Sequence, residues 1–165
     1  MADCRIDFFE PSSLFGIHRL NVNNQEHISN SPEDTFYIGK QLAKLFSKGC
    51  TVALTGTLGS GKTQLTKGIA CGLGINEQIT SPTYTIVNEY SFQSSAFFHI
   101  DAYRLNDDKD FEEIGGSEIL NSGSICVIEW SDRILKCLPD NVIKISIEIT
   151  GPSSRLIKIS NREDS

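Results

Sequence analysis

Residues 142–149 read VIKISIEI, with Ile143, Ile145, Ile147 and Ile149 set against Lys144, Ser146 and Glu148. A period of two is the signature of a strand covered on one face. Gly151 and Pro152 then turn the chain into a partner strand over 155–160. Two other runs are apolar at nearly every position, CTVAL at 50–54 and SICVIEW at 124–130, which suits strands buried on both faces. Residues 85–90 and 96–101 are β-branched or aromatic and flank a polar SFQSS, the pattern of a hairpin. Helical spacing occurs twice. Ser31 and Pro32 open the first helix, whose stripe Ile38, Leu42, Leu45 and Phe46 should run to Lys48 and Gly49; Leu65, Ile69 and Leu73 mark the second, over 62–74. Residues 110–120 suit one or two short helices broken at Gly115 and Gly116, and 131–137 a further short helical piece. The first two dozen residues contain Phe8, Phe9, Leu14, Phe15 and Ile17 without a period and receive no assignment.

The segment between 50–54 and 62–74 reads GTLGSGKT over 56–63, the pattern GxxxxGKT between a strand and a helix. Glycines at 56, 59 and 61 let the backbone curl so that successive amide hydrogens point inward, and the following helix adds its positive end. Such a loop cradles a nucleoside triphosphate, with Lys62 on the β and γ phosphates and Thr63 on Mg2+. Gly56, Gly59, Ser60, Gly61, Lys62, Thr63 and Gln64 form the expected nucleotide-binding set. The element order predicts an α/β fold: a single P-loop NTPase-like domain over 25–165, three-layered, with a mixed, mainly parallel central sheet and nucleotide at the carboxyl ends of the central strands.

Composition narrows the partners. The 165 residues carry a net charge of −6 and are 39% hydrophobic, enough for one core. Lysines and arginines are spread along the chain, so any work on RNA needs a partner to supply a basic surface. Cys4, Cys50, Cys71, Cys126 and Cys137 are odd in number, widely separated and without a CxxC pair, which points to a reducing compartment. With acidic residues near the N-terminus and no run of membrane-spanning length, the chain is expected to be soluble, cytoplasmic and free of the membrane.

A P-loop needs a carboxylate at the end of a neighbouring strand to hold magnesium. Glu129 fits that place, and Asp101 is a second metal-side candidate. The polar SPTYT at 81–85 stands where a γ-phosphate sensor belongs, although composition alone also allows a plain loop. His99 either orients the attacking water or fills the core. Trp130 packs on the nucleotide, on a partner or in the core.

Taken together, GTLGSGKT, SPTYTIVNEY, the HIDAYR of 99–104, EEIG and VIEW resemble the TsaE (YjeE) family of bacterial ATPases, over about 26–160. The resemblance implies a weak, partner-dependent ATPase that uses ATP and Mg2+. It also implies work with the proteins TsaD and TsaB on threonylcarbamoyladenosine next to the anticodon of tRNA, which is reached only through that complex. By the same resemblance Lys62 and Thr63 serve phosphate and magnesium, Glu129 is the acidic residue of the magnesium site and Asp101 is a switch carboxylate. SPTYT is then the first switch, Thr35 lies near the base, and Ser154 with Arg155 closes over the nucleotide. The family usually has aspartate where Thr57 stands and proline where Ser131 stands, so roles resting on those positions do not transfer. Two alternatives remain at this level: a small-molecule kinase, for which no lid-sized insertion follows Glu129, and an ATP-gated docking subunit with no required turnover. A guanine-reading NKxD-like motif is absent.

Overall fold

The computed structural model describes residues 24–161. The unassigned N-terminal stretch, with Cys4 and the apolar residues named above, lies outside them apart from Asn24. Eleven strands and α-helices are described. They are β1 (Gln25–Ser29), α1 (Pro32–Leu42), β2 (Thr51–Thr55), α2 (Lys62–Leu73), β3 (Val87–Phe92), β4 (Ser95–Asp101), α3 (Asp108–Glu113), α4 (Gly116–Asn121), β5 (Ile125–Glu129), β6 (Ile143–Ile149) and β7 (Arg155–Asn161).

β5 is buried at all of its positions and β2 at all but the last, as expected of strands with neighbours on both edges and cover on both faces. They sit centrally in a seven-stranded sheet of order β1-β7-β6-β2-β5-β4-β3. The four inner strands β6, β2, β5 and β4 run parallel, while β1, β7 and β3 add antiparallel pairings at the two ends. Alternation along the strands divides the core. Val52, Leu54, Val127, Ile145 and Ile147 pack with Leu65 and Ile69 of α2 on one face. Ala53, Ile100 and Ile128 pack with Phe111 of α3, Ile134 and Leu138 on the other. Helices on both faces of a mixed sheet give the expected three layers.

The register positions the chemistry. Leu54 lies opposite Glu129, and Glu129 opposite Asp101, so β2, β5 and β4 end at one level. The loop after β2 therefore emerges beside two carboxylates.

Three expectations shift. The α-helical part of the first helix stops at Leu42 rather than at Lys48 and Gly49; a 3-10 turn over Ala43–Leu45 follows, and Phe46 is already extended. The tighter winding turns the chain toward β2 while keeping Leu45 and Phe46 against the core. The hairpin is displaced toward its turn, because Ser91 and Phe92 pair with Ala96 and Ser95 and only Gln93 and Ser94 remain in the bend. β1 was not expected at all. Its QEHIS has no apolar face, Ile28 is largely exposed, and its stability comes from pairing along β7.

α1 and α2 pack at backbone contact. A Cβ on Gly39 would stand 2.3 Å from the Leu65 carbonyl oxygen, one on Gly68 2.0 Å from that of Phe36, and one on Gly72 2.5 Å from that of Lys40. This seam holds the start of α1 beside the start of α2, where the glycine loop ends. Gly68→Ala gains about 1 kcal/mol of helix propensity but overpacks the seam at about 1–3 kcal/mol, and the backbone clash places it at the upper end. Its melting temperature should fall by about 4–8 °C, read by circular dichroism. Burial also pushes the Cys50 thiol up to about 11 and the Cys126 thiol up to about 12. Alkylation by iodoacetamide at neutral pH should therefore spare both until the protein is unfolded, as peptide mass mapping would read.

Candidate nucleotide site

Gly56 leaves β2 with φ +146°, and a Cβ there would stand 2.6 Å from the Ile147 carbonyl oxygen of β6. Only glycine permits both the conformation and that approach. Gly61, also at positive φ, caps α2 with no side-chain hydrogen bond to the first helical turn. The first-turn amides thus face the loop without an internal acceptor, and the Ser60 hydroxyl is buried with no partner. A cradle closed to any Cβ at Gly56, uncapped helix amides and an orphan hydroxyl are the donor chemistry that a phosphate group completes.

Lys62 is buried and folded back on the loop, where its Nζ donates to the carbonyls of Gly56 at 2.7 Å and Thr57 at 3.1 Å. The same ammonium lies 3.9 Å from the centre of the Trp130 ring. Burial holds Lys62 below the ordinary lysine range, against the opposing pull of Glu129, Asp101 and Asp132. Trp130 itself has left-handed backbone, φ 57° and ψ 38°, and its ring also meets Tyr103 at 5.0 Å. Such a backbone costs about 1–2 kcal/mol in a residue with a Cβ. A desolvated cation on the indole face returns up to about 2 kcal/mol, so the contact offsets much of the strain.

Thr63 donates to Glu129 Oε2 at 3.2 Å, joining the loop to the end of β5. The other carboxylate oxygen, Oε1, lies 2.7 Å from His99 Nε2. His99 is wholly buried on β4, two residues before Asp101 and on the same face. It thus occupies core space, as one expectation held, with its Nε2 on Glu129 and no exposure to solvent water. Asp101 stands next to Glu129 in register but turns elsewhere: Oδ2 accepts from the Thr83 hydroxyl at 2.7 Å and Oδ1 from the Tyr103 amide at 2.9 Å. The described residues therefore bring Thr63 and Glu129 into direct contact and leave Asp101 holding the SPTYT loop. No group of three or more His, Cys, Asp and Glu side chains forms a cage among them.

A cleft of about 280 Å³ opens beside the loop, walled by Pro32 and Thr35 of α1, by Gly59 and Gln64, by Pro152 of the β6–β7 turn and by Arg155 at the start of β7. Thr35 lines it, but its hydroxyl is engaged with Ser29 at 2.7 Å. Gln64 ties α2 to α1 through the Pro32 carbonyl at 3.1 Å. Arg155 grips main chain on both sides: Nε donates to Ser60 O at 3.1 Å and Nη2 to Gly59 O at 3.4 Å, while Nη1 reaches Gly151 O and Ser154 O. Ser154 takes part through that carbonyl, which also accepts from the Thr150 amide. A larger cleft of about 460 Å³ lies between Ala53, Leu135, Leu138 and Lys144. None of the loop residues lines it, so its size does not make it the chemical site.

At the two positions where the sequence departs from the usual pattern, Ser131 donates to the Leu54 carbonyl at 3.2 Å, and Thr57 offers its own carbonyl to Lys62. Sequence reasoning did not find the Thr83–Asp101 bond or the Glu129–His99 contact. The signal for the second was the spacing of His99 and Asp101, which places both on the face of β4 that Glu129 shares across the ladder.

The family model for the threonylcarbamoyl adenosine biosynthesis protein TsaE matches residues 29–157. A tRNA threonylcarbamoyladenosine biosynthesis protein TsaE of Treponema pallidum is 38% identical over 133 residues, 81% of this chain and 98% of the relative. That of Borreliella burgdorferi is 40% identical over 143 residues, 86% of this chain and 98% of the relative. The crystal structure of YdiB from Bacillus subtilis superposes with a TM-score of 0.72 at 31% identity, covering 84% of this chain and 86% of that one. With a P-loop between β2 and α2, a seven-stranded mixed sheet and a family match over most of its length, the chain belongs to the TsaE family.

Proposed function

We propose that this chain is a weak, partner-dependent ATPase that binds Mg-ATP at the loop 56–63. We further propose that it acts with TsaD and TsaB in threonylcarbamoyladenosine modification of tRNA in the cytoplasm. The observation that carries the reading is the Thr63–Glu129 contact, which sets a hydroxyl and a carboxylate from two elements at the mouth of an uncapped helix. The family match supports the biosynthetic assignment, and the net charge of −6 supports tRNA contact through the partners.

In this reading the loop amides and the α2 amino end bind the phosphates, and Lys62 leaves the Gly56 and Thr57 carbonyls to meet them. Thr63 and Glu129, with Asp101 once its bond to Thr83 is released, would hold magnesium, which supplies positive charge against the triphosphate. Arg155 fixes the loop from the outside. Acceleration comes from positioning and electrostatics rather than from a dedicated base. Thr83 keeps the SPTYT loop on Asp101, so freeing that carboxylate and moving the loop are one event.

Titration calorimetry of the purified chain should give Mg-ATP binding that Lys62→Ala weakens by about 10–100-fold, the worth of charge-assisted hydrogen bonds. A parent chain that does not bind Mg-ATP, or a Lys62→Ala variant that still supports tRNA modification with TsaD and TsaB, would refute the reading. Protonated Lys62 is the phosphate-binding form, and burial lowers its pKa in the free chain. ATP affinity should thus decline as pH rises through a value below the ordinary lysine range, and a Lys62→Met variant should lack that bend.

A further inference from the structure

His99 is a buried imidazole that the function above leaves unused. It is wholly buried, its Nε2 is 2.7 Å from Glu129 Oε1, and its Nδ1 has no hydrogen-bond partner. The environment fixes what the ring does. Phe97 precedes it by two residues on β4, and Val127 faces it across the ladder to β5. Both belong to the apolar core, so nothing named there accepts a proton from Nδ1. An ionised Glu129 offers only lone pairs, so Nε2 must carry the hydrogen. Through Nε2 the ring then aims one donor at one oxygen.

The other end of the same carboxylate completes the argument. Glu129 is 3% exposed, its Oε1 is held by His99 and its Oε2 by Thr63. A buried glutamate has three rotatable bonds, so its orientation depends on those two donors. Thr63 is a weak guide, because its hydroxyl rotates and belongs to the loop that binds the ligand. His99 is wholly buried on β4, hydrogen-bonded on both edges to β3 and β5, and so does not belong to the loop that moves.

We infer that His99 is a positioning residue: through Nε2–H it anchors Glu129 Oε1, leaving Oε2 presented to the Thr63 side of the loop as a metal-ready oxygen. This rests on the reading of Glu129 as a magnesium-site carboxylate. Donors behind a metal-binding group tune metal affinity by about 10–100-fold while leaving contacts made elsewhere on the ligand alone. The effect of losing His99 should therefore fall on magnesium and not on the nucleotide.

The test compares His99→Gln, His99→Asn and His99→Phe with Glu129→Gln. A glutamine amide reaches as far as Nε2, an asparagine amide stops at the level of Nδ1, and phenylalanine keeps the ring without a donor. Two quantities are measured for each folded variant: ATP affinity in EDTA, and the magnesium concentration giving half-maximal ATPase activity with TsaD and TsaB present. Asn and Phe should raise the magnesium requirement by about tenfold or more. Gln should stay within about threefold of the parent, and ATP affinity in EDTA should stay within about twofold for all three.

A His99→Phe chain with the parent's magnesium requirement would overturn the inference, as would a Gln variant no better than Asn. Loss of folding in all three would make His99 a core residue only and would also overturn it; if Phe alone fails to fold, the Gln and Asn pair decides. Glu129→Gln separates the two layers of argument. If it leaves the magnesium requirement unchanged, the reading of Glu129 fails; if it raises the requirement while the His99 variants do not, only the role of His99 falls.

Discussion

Everything at the candidate site depends on the parallel register of β2, β5 and β4. Leu54, Glu129 and Asp101 stand side by side at the strand ends, so a loop leaving β2 meets carboxylates from both following strands without any side chain having to reach far. Backbone ladders set this alignment, and the apolar residues one and two positions earlier hold it, since a slip of one residue would turn Val127 and Glu129 to the opposite face. The charged groups are thus carried by the core rather than by one another. That matters because each costs free energy to bury: Glu129 and Asp101 are both 3% exposed, and the cost is offset by hydrogen bonds from His99 and Thr63 to the one and from Thr83 and the Tyr103 amide to the other, with the Lys62 ammonium drawn to both.

A second constraint works at right angles to the sheet. The glycine seam between α1 and α2 lets the two helices approach at backbone distance, which sets Pro32 and Thr35 beside the glycine loop as one wall of the cleft. The opposite wall comes from the turn between the last two strands. Residues far apart in sequence therefore enclose the loop because three separate packing arrangements end at the same place.

What the sequence revealed follows from how local each signal is. The central strands were legible from β-branched runs, and the loop from its fixed glycines, because those requirements act on residues within a few positions of each other. The two short helices around Gly115 and Gly116 were legible for the same reason. β1 was not, because an edge strand with a polar face owes its order to β7, some 130 positions later. The purpose of the glycines at 39, 68 and 72 lies in the facing helix, which no pattern within either helix displays. Glu129 and Asp101 were identifiable as strand-end carboxylates, but what each holds depends on neighbours across the ladder, Thr63 and His99 for one and Thr83 for the other. Arg155 was expected to close over a ligand, and its position is set by carbonyl groups, which have no identity in a sequence.

That last feature reaches into how such a site can drift over time. Every acceptor that Arg155 grips, at Gly59, Ser60, Gly151 and Ser154, is a peptide oxygen. The clasp reads the path of the chain and is indifferent to which letters lie along it, so its memory is held as shape. Substitutions around it need no matching change at Arg155 as long as the curve survives, and a partner search based on paired replacements would pass it by.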